Sequence, residues 1–269
     1  MALLAVLALG AAACGGSAGP APSRGGRASA ASIPVAKVVG QTILVRMPGR
    51  RPTATFLARI RAGQIGGVVL FSENFGPAGP AALDAELQAA ARAGGNPPLL
   101  IAIDQEGGIV KRLPGAPTLA PGEMSTPAVA AAQGQATAKN LSRFGISMDL
   151  APVLDVGHGG FITPRTFGST PQVVATRGTA FARGLAAGRV AATAKHFPGL
   201  GYARVSTDAS SVVVGASRSA LLADLLPFRT AIRSGVPLVM VSTAAYPALG
   251  ATEPAALSAT IVKRLFCAR

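Results

Sequence analysis

From about residue 35 onward, short apolar runs alternate with longer stretches of helical periodicity. IGGVVLF (65–71), PLLIAID (98–104), RVAATAKH (189–196) and VPLVMVST (236–243) are almost continuously apolar. That is the pattern of strands buried on both faces of a parallel sheet. VGQTILVRM (39–47) reads as a strand ahead of them, and ISMDLAPVLDV (146–156) contains another. The intervening segments 80–94, 126–145, 170–188 and 217–235 read as helices; the first has Pro at its start and Gly at its end, the usual helix punctuation. Strands alternating with helices predict an α/β fold, either a closed β/α barrel or an open doubly wound sheet.

The polar residues choose between the two. Glu73 and Asn74 follow one strand; Asp104, Gln105 and Glu106 follow another; Asp149 and Asp155 flank a third; Lys195 and His196 end a fourth; Ser242 and Thr243 end a fifth. The chain has only 11 acidic residues, so five of them at strand ends is a concentration. A barrel brings all strand ends to one face, where active sites lie, whereas an open sheet joins only those beside its switch point. GGIVKRLPG (107–115) has glycines but neither dinucleotide nor P-loop spacing. The prediction is a TIM-type (β/α)8 barrel. About six strands are counted before Arg269, and PAALSATIVKRLFCAR (254–269) reads as part of a helix, so the barrel is expected to be truncated after about six strands.

Composition refines this picture. A length of 269 residues with 49% hydrophobic content fits one large domain or two small ones. The formal net charge of +14 comes from scattered arginines and lysines, densest in GRRP (49–52) and VKRL (110–113 and 262–265). No basic stripe interleaves with aromatics, which argues against nucleic acid and for an anionic wall or membrane surface. Residues 2–13 are apolar and too short to span a bilayer. Small residues lead into Cys14 as in a bacterial lipobox, so residues 1–14 are expected to be a lipoprotein signal with Cys14 lipidated; the alternative is a plain cleaved secretion signal. Residues 15–32 read as a flexible Gly/Ser/Ala/Pro tether, and 33–269 as the barrel domain. Cys267 is the only other cysteine, so there is no disulfide framework.

Six pieces, in order, carry a resemblance: GGVVLFSENF, IAIDQEGGIVKRLPG, GISMDLAPVLDV, PRTFGSTPQVV, AKHFPGLG and PFRTAIRSGVPLVMVST. The chain resembles the N-terminal catalytic domain of glycoside hydrolase family 3, and within it the bacterial β-N-acetylhexosaminidases that trim cell-wall muropeptides. The family fold is a β/α barrel. The resemblance implies that Asp104 accepts hydrogen bonds from sugar hydroxyls, a task that suits an ionised carboxylate. It implies that Arg112 bonds the sugar and holds that carboxylate, that Arg165 makes a similar contact, and that Lys195 and His196 donate to adjacent hydroxyls. His158 reads as a loop residue without a chemical role. No cofactor and no metal are implied. The expected partner is an N-acetylglucosamine-containing glycan, and the expected state is a monomer, secreted and lipid-anchored on the outer face of the bacterial membrane.

Two parts of the family pattern have no match. Retaining glycosidases use two groups about 5 Å apart. The family's nucleophile is an aspartate in an SDD-like segment on a later strand, and no acidic residue follows Glu253 here. The acid/base in the hexosaminidase subgroup is a histidine in an Asp-x-His dyad; Asp208 matches its aspartate, but Ser210 stands at the histidine. A serine hydroxyl is too weak an acid for that step. Leu200 stands at a further family histidine, and Ser242-Thr243 stands where the family has a strand-end Ser-His or Ala-His pair. The leading expectation is a retaining exo-β-N-acetylglucosaminidase acting on wall fragments, catalytically incomplete in these 269 residues. The alternatives are an inactive sugar-binding lipoprotein and an unrelated secreted β/α-barrel protein.

Overall fold

The computed structural model describes residues 33–76 and 80–266; the apolar stretch ahead of Cys14, the tether to residue 32, Cys14 itself and Cys267 lie outside them. The chain opens with α1 (Val35–Gly40), β1 (Leu44–Arg46), α2 (Ala54–Arg61), β2 (Gly67–Leu70), α3 (Ala81–Ala93) and β3 (Leu100–Ile103). A hairpin of β4 (Gln105–Gly107) and β5 (Val110–Lys111) follows, then α4 (Pro127–Ser142), β6 (Met148–Asp149), α5 (Pro171–Ala187) and β7 (Ala191–Phe197). Next come α6 (Arg218–Ala223), α7 (Leu226–Arg233), β8 (Leu238–Val241) and a small antiparallel ribbon of β9 (Ala245–Tyr246) and β10 (Ala251–Pro254). Among the described residues six strands form one sheet, ordered β1-β2-β3-β6-β7-β8, with every neighbouring pair parallel. The sheet curls as a half barrel, as the alternation of apolar strands and helices anticipates.

Successive residues of a strand face opposite sides. Val68, Leu70, Ile101 and Ile103 pack with helix residues such as Ile60, Leu87, Leu141 and Phe181 in the main core. Leu44, Val69, Ala102, Met148 and Leu150 form a second cluster on the other face, joined by Leu100, Ala191, Leu238 and Met240. Burial of each large aliphatic contributes about 1.5–3 kcal/mol, so both faces need covering. The parity of the second cluster runs on to Asp104, two residues past Ala102, and to Lys195, four past Ala191. The alternation that builds the core thus delivers a carboxylate and an ammonium to one side.

Local chemistry sets the helix ends. Thr126 and Thr170 each precede a proline in the first turn, and their side chains accept from the backbone N–H of Val129 and Val173. Such caps contribute about 1 kcal/mol each. Helices α4 and α5 lie close because glycines line their contact: a Cβ on Gly134 would stand 2.2 Å from the Phe181 carbonyl oxygen, and one on Gly184 2.2 Å from that of Ala131.

Several boundaries differ from the sequence reading. The valines of 35–39 belong to α1, which starts after Pro34, so β1 begins only at Leu44. The helix expected over 217–235 is two, because Pro227 in the first turn of α7 has no N–H to continue the ladder. In 146–156 only Met148–Asp149 is regular strand; Pro152 has no N–H to donate, though its carbonyl accepts from Lys195 N at 3.1 Å, and Val153 forms an isolated bridge to Lys195. The described residues 254–266 are not one helix: Pro254 closes β10, and a wide π-type turn covers Thr260–Phe266.

Candidate functional site

The turn after β3 is pinned by one buried amide. Gln105 is fully buried, and its Nε2 donates to the carbonyls of Leu113 (2.8 Å) and Ala116 (2.9 Å). Its Oε1 accepts from the backbone N–H of Arg112 and Leu113, both at 3.0 Å. All four capacities of the amide are used, which fixes the chain on both sides of Arg112 against the strand end that carries Asp104. The Arg112 guanidinium then sits 5.4 Å from the centroid of the Phe71 ring, with its Nη2 3.8 Å from Asp104 Oδ2. Its Nε is buried and has no partner. Arg46 lies over the same Phe71 ring, 4.6 Å from its centroid, and pairs with Glu73.

Lys195 is the centre of the arrangement. Its ammonium stands 2.6 Å from Asp104 Oδ1 and 2.6 Å from Glu106 Oε1. Glu106 is also held by Arg165, whose Nε (2.8 Å) and Nη2 (2.6 Å) bond its two oxygens as a fork. Three cations, counting Arg112, thus surround two carboxylates. Burial pushes the Asp104 and Glu106 carboxyls up, but the Lys195 charge beside both, with Arg165 on Glu106, outweighs it and holds them below the ordinary range. Burial likewise pushes the Lys195 ammonium down, and the two carboxylates more than restore it. Ions taken from water at this depth are tolerable only when paired and hydrogen-bonded in this way. The Asp104 side chain keeps 16% of its surface open, against 1% for Glu106. Asp104 is therefore the carboxylate a ligand can reach, and Glu106 the one that holds the cations.

Beside this network, His196 is anchored by Asp155. The ring Nδ1 lies 2.7 Å from Asp155 Oδ2, while Oδ1 accepts from the backbone N–H of His196 (3.3 Å) and of Leu200 (2.7 Å). Near the charged network, Asp149 is fully buried, with Oδ1 accepting from Gln105 N at 3.0 Å and Oδ2 without a partner among the described residues. Burial raises its carboxyl well above the usual value.

The sequence matches the glycosyl hydrolase family 3 N-terminal domain over residues 35–267. It is 39% identical over 244 residues to an uncharacterised secreted glycosyl hydrolase of Arthroderma benhamiae, covering 86% of this chain and 69% of that one. It is 35% identical to a β-hexosaminidase of Xanthomonas oryzae pv. oryzae, covering 83% and 70%. The chain belongs to glycosyl hydrolase family 3.

Among solved structures, the fold matches the family 3 β-N-acetylglucosaminidase of Paenibacillus sp. str. FPU-7 with a TM-score of 0.82 and 34% identity, over 87% of this chain and 47% of that one. It matches NagZ from Neisseria gonorrhoeae, solved with N-trifluoroacetyl-D-glucosamine, with a TM-score of 0.76 and 32% identity, over 84% and 70%. The chain thus spans about half of the Paenibacillus enzyme and about 70% of the other relatives named.

In this family 3 chain, Asp104, Arg112, Arg165 and Lys195 come together in one charged network, with His196 next to Lys195. Arg165 forks onto Glu106 rather than lying open. Lys195 spends two of its three donors on carboxylates. Asp208 is not part of the network: its side chain is exposed, in a turn where its N–H donates to Ser206 Oγ. His158, read from the sequence as a loop residue without a role, pairs with Asp224 at 2.8 Å and stacks on Tyr202 with ring centroids 3.8 Å apart. The sequence reading gave no role to Glu106, Gln105 or Asp155. Their one legible signal was a polar residue placed directly after an apolar run.

Proposed function

We propose that this chain carries the sugar-binding half of a retaining family 3 exo-β-N-acetylglucosaminidase that acts on cell-wall fragments outside the cytoplasm. The observation that carries the reading is the partly open Asp104 carboxylate held between Lys195 and Arg112. Asp104 accepts from one hydroxyl of a terminal sugar while the remaining donors of Lys195 and Arg112 serve its neighbours. Charge-assisted bonds of this kind are short and strong. Arg165 holds Glu106 and, through it, Lys195, so its part is positioning rather than sugar contact. The relatives support the activity: one is a β-hexosaminidase, another a β-N-acetylglucosaminidase. The secreted Arthroderma relative and the apolar N-terminus support export. Lipidation of Cys14 is part of the same proposal.

A second reading, sugar binding without turnover, is favoured by Ser210 at the place of the dyad histidine and by the exposed position of Asp208. Hydrolysis of an aryl β-N-acetylglucosaminide separates the two, because its good leaving group removes most of the need for an acid. The assay is run with the 269-residue chain and with any longer product of the gene. Turnover abolished by Asp104→Ala supports the hydrolase. Binding of the sugar with no turnover by either form supports the second reading.

A further inference from the structure

We propose that Asp155 is a positioning residue that locks His196 in the Nδ1–H tautomer and leaves Nε2 as the atom offered to the sugar, an acceptor in the neutral ring. The inference rests on the sugar-site reading above and adds an element of hydrogen-bond direction to it. Asp155 is fully buried at the end of the chain segment that follows β6. A carboxylate only accepts, and every contact it makes here is with an N–H: two backbone donors, His196 N and Leu200 N, converge on Oδ1, and the imidazole Nδ1 stands 2.7 Å from Oδ2. The Nδ1 atom must therefore carry the proton. In a neutral imidazole that leaves the lone pair on Nε2.

Nε2 has no hydrogen-bond partner among the described residues, and the His196 side chain keeps 15% of its surface open beside Lys195. The arrangement couples direction to backbone shape, because the carboxylate that sets the tautomer also holds the turn at Leu200 through its N–H. Neighbouring residues then offer complementary chemistry: Lys195 donates, Asp104 accepts, and neutral His196 accepts. The family resemblance had cast His196 as a donor; the geometry assigns it the opposite sense unless the ring is protonated.

The substitution that tests this is Asp155→Asn. The Asn oxygen must stay on the two backbone N–H groups, so its NH2 faces Nδ1 and donates to it, forcing the proton to Nε2. The chain has only two histidines, His158 and His196, and a His158→Gln protein assigns their signals in long-range 15N–1H imidazole spectra recorded at about pH 8, where an ordinary imidazole is neutral. The wild-type protein is expected to show His196 protonated at Nδ1, and Asp155→Asn to show it protonated at Nε2 with about tenfold weaker binding of N-acetylglucosamine. A wild-type His196 protonated at Nε2, or a folded Asp155→Asn protein that keeps Nδ1–H, overturns the proposal. If Asp155→Asn does not fold, the wild-type assignment decides alone. Added N-acetylglucosamine should move the wild-type Nε2 resonance; an unmoved Nε2 with Nδ1–H in place overturns the sugar contact and not the tautomer, so the two failures read differently.

Discussion

Lys195 on β7 reaches Asp104 at the end of β3, 2.6 Å from nitrogen to oxygen, across the intervening strand β6. Ninety-one residues separate the two in sequence. The bond exists because both side chains continue the same face of the curled sheet, and it makes three strands mutually dependent.

Removal of the ammonium is expected to be costly. Lys195→Met leaves Asp104 and Glu106 buried beside each other with only arginines to hold them, and breaking a buried pair from one side typically costs about 3–5 kcal/mol. Urea unfolding followed by circular dichroism measures it. A loss under about 1 kcal/mol would mean that the network is more hydrated than the geometry indicates.

Acid should weaken the fold through the same residues. The carboxyls of Asp104 and Glu106 lie below their ordinary values of 3.8 and 4.5 in the folded chain. The stability they contribute is complete above those values and is lost as pH falls through the lower folded ones. Asp149 works in the opposite sense: its carboxyl is raised, so the unfolded chain releases that proton first and stability declines as pH climbs above 3.8. Asp149→Asn is therefore expected to keep its stability at pH 7, whereas Asp104→Asn loses it. Unfolding midpoints of both variants across pH 3–7 check the contrast, and equal losses at pH 7 would contradict it.

The contact between α4 and α5 offers a test away from the site. Gly134→Ala places a methyl against the Phe181 carbonyl, and Gly184→Ala against that of Ala131. Both are expected to lower stability by about 1–3 kcal/mol, the usual cost of overpacking, despite the better helix propensity of alanine. A rise in melting temperature in either variant would show that the helices can part freely.

Much of this was legible in the sequence, for identifiable reasons. Buried parallel strands must be continuously apolar, so 65–71, 98–104, 189–196 and 236–243 declared themselves, and Asp104 and Lys195 stood out as charges closing such runs. Their pairing was not legible, since it depends on which side chains cross β6. The role of Glu106 was hidden for the same reason: nothing local says that Arg165, 59 residues away, will fork onto it. Gln105 and Asp155 act on backbone N–H groups, and a sequence does not display where those groups will point. The split at Pro227 was legible in principle, and the apolar periodicity on either side concealed it.

The central claim is that the open carboxylate between Lys195 and Arg112 reads a sugar. Calorimetric titration of the 269-residue protein with N-acetylglucosamine, beside its Asp104→Ala variant, tests it most directly. Loss of one charge-assisted hydrogen bond is worth about 1.5–3 kcal/mol, or roughly a ten- to hundredfold weakening. The account predicts measurable binding by the wild type and a loss of that size in a variant whose far-ultraviolet spectrum is unchanged. Equal binding by both proteins, or none by a folded wild type, would contradict it.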